Sequence, residues 1–310
     1  MNSQSNTMPE SLNSQTIVPP ALSTTQPFYW SVRRELWESR WIYLAPLAAA
    51  GVLLFGFLLT LIRFPAKMRG FSMLDAAHYR QAIVTHYDIV AGLLMAIAIL
   101  VDVFYCIDAL YGERRDRSIL FWKSLPVSDR TTVLAKASIP FVIVPLLTTA
   151  VAVATQVIML LLSSTVLLGS GMSVAPYWAS LAAPRMWWLL FYHIVTAHTL
   201  WPAPIYCWLL LVSGSARRAP LLWAVVPPFV IAGLERIVFG TWHFARLLGA
   251  RFIGDTSVAA MQSGDSFPTN PMTHITPVTF LTSPGLWIGL LIAAAFLVAA
   301  IQLRRHRGPI

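Results

Sequence analysis

Apolar runs of about 20 residues, the length needed to cross a bilayer core, recur along the chain between shorter polar stretches. They predict six transmembrane helices at about 42–62, 89–110, 137–162, 186–212, 220–239 and 284–303. The expected fold class is therefore all-α, a polytopic membrane protein with both termini on one side. Ahead of the first run, PFYWSVRRELWESRW (Pro27 to Trp41) predicts a helix lying in the membrane interface. Phe28, Val32 and Leu36 form one apolar stripe, and Trp30, Trp37 and Trp41 line another side beside Arg33 and Arg34. Tryptophan and arginine together suit the headgroup layer. The alternative is a plain extension of the first span.

Composition agrees with the pattern. With 57% hydrophobic and 11% charged residues and a mean hydropathy of +0.66, a single soluble core would not hide the apolar surface. The formal charge of +9 does not call for nucleic acid, because the cations sit at the ends of apolar runs and form no separate basic face. Arg33, Arg34, Arg40, Arg217, Arg218, Arg304, Arg305, Arg307 and six cations between 111 and 136 lie on the side of the termini, fourteen of the 22 Lys and Arg. The positive-inside rule then places both termini in the cytoplasm, as in a bacterial inner-membrane protein. Cys106 and Cys207 fall inside apolar runs and read as small hydrophobes, not as a disulfide framework. Residues 1–26, rich in Asn, Ser, Gln, Thr and Pro, read as a disordered tail with no cleavable signal, leaving 27–310 as one transmembrane domain.

Prolines interrupt three runs: Pro140 and Pro145, Pro202 and Pro204, Pro227 and Pro228. Kinks or breaks are expected at each, since proline removes a backbone donor, although neighbouring helices can re-satisfy the backbone without any gating role. The stretch Gly240 to Ser283 is long for a simple connection.

The most informative segment is the polar hairpin YGERRDRSILFWKSLPVSDRTTVLAK, Tyr111 to Lys136. It carries Arg114, Arg115, Arg117, Lys123, Arg130 and Lys136 beside Glu113, Asp116 and Asp129, and an apolar knot, Ile119 to Trp122, is stopped by Leu125-Pro126. Glu113-Arg114, the run Ser124-Leu125-Pro126-Val127-Ser128, Lys136 and the Arg33-Arg34-Glu35 entry make the chain resemble the membrane (permease) subunit of an ATP-binding-cassette (ABC) transporter of the type-2 exporter superfamily. The resemblance implies a cytoplasmic coupling helix at Ser118 to Ser124. It also implies a separate ATPase subunit that carries ATP and Mg, and a second permease subunit, the same or homologous. The implied ATPase contact comprises Glu113, Arg114, Arg115, Arg117, Ile119, Leu120, Phe121, Trp122, Lys123, Ser124, Leu125 and Pro126. It further implies a membrane-parallel helix before the first span and short helices dipping into the outer leaflet within 240–283. The residues themselves leave open a basic loop that only anchors the spans on anionic lipid.

No GxxxxGK[ST] phosphate loop, GxSxG elbow or HExxH occurs, so the chain is expected to hold no cofactor, no metal and no catalytic residue. Asp102, near the middle of the second run, needs a partner or a wet cavity. Helix rise puts His198 nearest among the ionisable groups, about 6 Å away along the membrane normal. Asp108 lies nearer the hairpin. His193 and His198 are about 140° apart on an α-helix, poor geometry for a shared ligand. Two other readings remain: a polytopic enzyme using Asp102, His193 and His198 on a lipid-borne substrate, and a secondary transporter driven by protons through Asp102.

Overall fold

A computed structural model of the chain describes residues 25–71, 75–124, 127–253 and 277–306. Secondary structure among these residues is helical, with no strand. The N-terminal tail, Leu125-Pro126 and most of 240–283 therefore lie outside the described residues. In chain order the helices are α1 (Thr25–Glu38), α2 (Trp41–Leu61), α3 (Phe64–Phe71), α4 (Ala76–Asp108), α5 (Tyr111–Arg115), α6 (Ser118–Ser124), α7 (Asp129–Ser138) and α8 (Val144–Gly169). After these come α9 (Ala175–Leu181), α10 (Ala183–His193), α11 (Ala203–Ser215), α12 (Pro220–Phe239), α13 (His243–Ile253), α14 (Pro277–Thr282) and α15 (Pro284–His306). Two π-helical turns are inserted, π1 (Ile139–Ile143) between α7 and α8, and π2 (Ile194–Leu200) between α10 and α11.

Among the described residues five helices are long and apolar enough to cross a bilayer, six if the bent pair Ala175–Leu200 with Ala203–Ser215 counts as one span. Two crossings outrun their apolar cores. α4 has 33 residues, about 50 Å at 1.5 Å per residue, because the polar turn His78 to Gln81 continues the helix. The third crossing begins at Asp129, where the Ser128 hydroxyl accepts a hydrogen bond from Thr131 N–H and caps the helix. Many apolar side chains point away from the bundle, including Val52, Phe55 and Leu59 on α2 and Phe229, Ile237 and Phe239 on α12. That is the expected finish for helices whose outer solvent is lipid.

Each proline site resolves differently. In the third crossing, π1 takes up the strain between Pro140 and Pro145. In the fourth, α10 and α11 diverge by 46°. There Trp201 N–H reaches back five residues to the Thr196 carbonyl at 2.9 Å. Pro202 has no N–H to give the His198 carbonyl, and the Tyr206 hydroxyl donates to it instead, at 3.1 Å. The expected kink or break at Pro227-Pro228 is not found as a break: α12 runs uninterrupted through both. Both prolines are half-buried and are flanked by the exposed Val225, Val226, Phe229 and Val230.

α13 turns back onto α12 and onto the bend of the fourth crossing. The Trp201 indole donates to the Ala250 carbonyl at 2.7 Å, while Arg251 stacks 4.3 Å from that indole and donates to the Trp201 and Gly285 carbonyls. Gly289 makes room for the guanidinium, since a Cβ there would lie 2.6 Å from its nitrogens. At the opposite end, Arg34 near the start of the described chain and Arg304 near its finish both grip Glu113. The ends of α1 and α15 and the hairpin thus share one end of the bundle.

Candidate functional site

The hairpin is built as an exposed lip on a buried ionic base. Arg114 is buried and donates to the Gly214 and Ala216 carbonyls at 2.8 and 3.0 Å. The Ser213 hydroxyl accepts from Leu110 N–H and Tyr111 N–H, both at 2.9 Å. These contacts lock the exit of the second crossing onto the end of the fourth, satisfying orphan groups at both helix ends.

Glu113 sits in the middle of the base, buried. Its carboxylate accepts from Arg34 Nη2 at 2.6 Å and from Arg304 Nη1, and lies 3.2 Å from Lys136 Nζ. Lys136 also holds both oxygens of Glu35, at 2.8 and 2.9 Å. Glu35 takes a further bond from the Tyr105 hydroxyl at 3.0 Å, and Arg304 Nε reaches Asp129 at 3.1 Å. Three cations, Arg34, Lys136 and Arg304, thereby face four carboxylates: the buried Glu35 and Glu113, the partly exposed Asp129, and the half-exposed Glu38, 3.3 Å from Arg34 Nε. Buried carboxylates persist when cations and hydrogen-bond donors surround them, and Glu35 and Glu113 each accept from at least two side chains. Burial works against the charge on Arg34, but Glu35, Glu113 and Glu38 outweigh it and hold its pKa above the ordinary arginine value. The cluster unites α1, α4, α5, α7 and α15, elements far apart in sequence.

α6 rides on this base. Arg117 takes a left-handed backbone conformation, φ 57°, which turns the chain from α5 into α6. Ile119 is 1% exposed and points inward. Trp122 lies over Arg34, ring centroid 3.8 Å from the guanidinium carbon, and edge-on to Phe121 at 4.9 Å. Leu120 and Phe121 face out, 58% and 60% exposed. Arg115, Arg117, Lys123 and Ser124 are also exposed, with Arg115 paired to Asp116 at 3.0 Å and lying 3.9 Å from Asp108. The set named from the sequence therefore divides. Glu113, Arg114 and Ile119 are interior residues that carry the lip, while Leu120, Phe121, Lys123 and Ser124 present a surface; Leu125 and Pro126 lie outside the described residues. Sequence reading missed the pairing of Glu35, Lys136, Arg304, Asp129 and Tyr105. The available signal was opposite charge placed next to apolar runs.

α1 packs along α7 through Val32 and Leu36. Trp30, Trp37 and Trp41 remain exposed, and Arg33 lies 5.2 Å from both the Trp30 and Trp37 rings.

Inside the bundle, Asp102 is buried and its Oδ1 has no hydrogen-bond partner. It lines one narrow cavity with His198, but no ion pair joins the two among the described residues. The expectation that His193 and His198 diverge is corrected. Their rings meet edge-on with centroids 5.6 Å apart, because the π turn starting at Ile194 brings residues five apart into register. Among the described residues no group of three His, Cys, Asp or Glu could hold a metal ion. Cys106 and Cys207 are buried and free.

Comparison with protein-family models, with curated proteins and with solved structures found no match to this chain.

Proposed function

We propose that the chain is the permease subunit of an ABC exporter of the type-2 kind, docking a separate ATPase subunit through α6 and moving its substrate by alternating access. The observation that carries this reading is the outward pair Leu120 and Phe121 on a charge-locked base. Two large apolar side chains on a short helix, rimmed by exposed Arg117, Lys123 and Arg130, have the form of an apolar hot spot with a cationic rim that sets register. The sequence resemblance of the hairpin and of the Arg33-Arg34-Glu35 entry supports the same reading.

In this scheme ATP and Mg reside on the partner, and two permease subunits share two ATPases. The hairpin and both termini face the cytoplasm of a bacterial inner membrane. Closure of the ATPase pair pushes on α6. Trp122 against Arg34, and Glu113 against Arg34, Lys136 and Arg304, then carry the displacement into α1, α7 and α15 as one body. The bend at Trp201-Pro202 and the π turns supply places where crossings can re-angle.

The test is co-expression with candidate Walker-motif ATPases from the same genome. Leu120→Ala/Phe121→Ala should lose the complex and the membrane-subunit stimulation of ATP hydrolysis while unfolding in detergent at the unchanged denaturant midpoint. An intact complex with unchanged ATP hydrolysis in that variant overturns the docking role.

A further inference from the structure

Midway along the bundle lies a polar layer that docking at α6 does not use. Asp102 on α4 is 3% exposed with an unpartnered Oδ1, and Thr148 on α8 is 1% exposed with an unpartnered Oγ1. Both line a cavity of about 10 Å³ together with His198 from π2 and Tyr206 from α11. That is close to the smallest space that holds one water, and such a water needs the two or more polar partners found here.

The groups around Asp102 restrict what can bind. α8 offers only the Thr148 hydroxyl, π2 offers His198 with the His193 ring edge-on to it, α11 offers the Tyr206 phenol, and the next turn of α4 carries the buried Cys106 thiol. No lysine or arginine lines the cavity, so a carboxylate there has no cation beside it. An isolated charge at such depth is strongly disfavoured. A hard metal ion takes about six oxygen ligands, and the cavity lining supplies far fewer. The His198 backbone is held in place because the Tyr206 hydroxyl ties down the carbonyl that Pro202 leaves free.

We propose that Asp102, Thr148 and His198 form an intramembrane proton-binding site, one exchangeable proton being shared through a single water between the Asp102 carboxyl and the His198 imidazole. With the proton on Asp102, the carboxyl donates to the water and the water donates to the ring nitrogen. Passing the proton along gives a carboxylate and an imidazolium, the water regains the proton it gave up, and the site's net charge stays zero throughout. The Thr148 hydroxyl, which has no partner of its own, offers the same water a further hydrogen bond in either state. The site is independent of ATPase docking, and its test uses no ATPase.

The full chain in lipid nanodiscs would be followed by infrared difference spectroscopy across a titration from mildly acid to mildly alkaline pH. A carboxylic-acid C=O band should persist at neutral pH, shift down in D2O, disappear in Asp102→Asn, move in Asp102→Glu, and shift in both Thr148→Val and His198→Phe. Loss in Asp102→Asn separates it from any band of Asp88 on the same helix. Absence of an Asp102-dependent band at every pH overturns the site. So does a band that ignores the Thr148 and His198 changes, or one bleached by sodium at constant pH, which would make the ligand a metal cation. The D2O shift needs no variant, so a poorly folding Asp102→Asn protein still leaves a decisive reading: no exchangeable acid band in the wild type refutes the proposal.

Discussion

Replacing Glu113 by Ala perturbs the ionic base at its most connected point. The native cluster sets Arg34, Lys136 and Arg304 against Glu35, Glu113 and Asp129. Without Glu113, Lys136 and Arg304, 2% and 4% exposed at their side chains, each lose a carboxylate neighbour and cannot turn to water. Breaking a buried pair in this way costs about 3–5 kcal/mol, a hundredfold or more in the folding equilibrium. Removing Arg304 as well, as Arg304→Met, takes away the buried cation that Glu113→Ala deprives of its nearest carboxylate. The double variant should therefore be less destabilised than the sum of the singles, by about 1–3 kcal/mol of coupling. The assay is reversible unfolding in mixed micelles at graded denaturing detergent, with Arg115→Ala as the control. Arg115 is 55% exposed at its side chain, and its pairs with Asp116 and Asp108 should be worth about 0.2–1 kcal/mol. A Glu113→Ala protein no weaker than Arg115→Ala, or strict additivity with Arg304→Met, would falsify the view that the hairpin stands on a buried base of paired charges.

Trp122→Ala removes the ring over Arg34 and should cost about 1–2 kcal/mol, read in the same unfolding assay, whereas Phe121→Ala should cost much less because its side chain is exposed. Gly289→Val occupies the space used by the Arg251 guanidinium, so hydrogen exchange across His243–Ile253 should accelerate while that of α11 holds; unchanged exchange in α13 refutes the docking. Tyr206→Phe strands the His198 carbonyl inside the fourth crossing and should cost about 1–3 kcal/mol, with faster exchange confined to Ile194–Leu200. Single cysteines at Ser124 and Ser173, in a background lacking Cys106 and Cys207, should react with an impermeant thiol reagent on intact cells only at Ser173. The reverse pattern overturns the cytoplasmic placement of the hairpin.

The apolar runs were legible because length and apolarity are local properties, and they coincide with α2, the apolar parts of α4 and α8, the bent α10–α11 pair, α12 and α15; among the described residues five to six helices are long and apolar enough to cross a bilayer. Their polar extensions were not, since His78 to Gln81 and Asp129 to Lys136 look like loop by hydropathy yet continue as helix. The ionic base escaped because its partners are widely separated: Arg34 and Glu113 stand 79 residues apart, and Glu113 and Arg304 stand 191 apart. No local pattern records such pairing. For the same reason the hairpin's charge did not reveal which of its residues turn inward. The meeting of His193 with His198 was hidden by the assumption of 3.6 residues per turn. Its trace in the sequence is Pro202 four residues after His198, with Thr196 and Thr199 in the turn between them; Thr199 donates five residues back, to the Ile194 carbonyl at 3.0 Å.

Docking of an ATPase at α6 is tested most directly by site-specific photocrosslinking. A benzophenone amino acid at Phe121, in the full chain expressed in its own membranes, would be irradiated and its adducts identified by mass spectrometry, with Phe229 on the outer face of α12 as the control position. The predicted result is a protein adduct from position 121 that contains a Walker-motif ATPase and forms only lipid adducts from position 229. Lipid adducts at both positions, with no ATPase at 121, would contradict the assignment of α6 as the coupling helix.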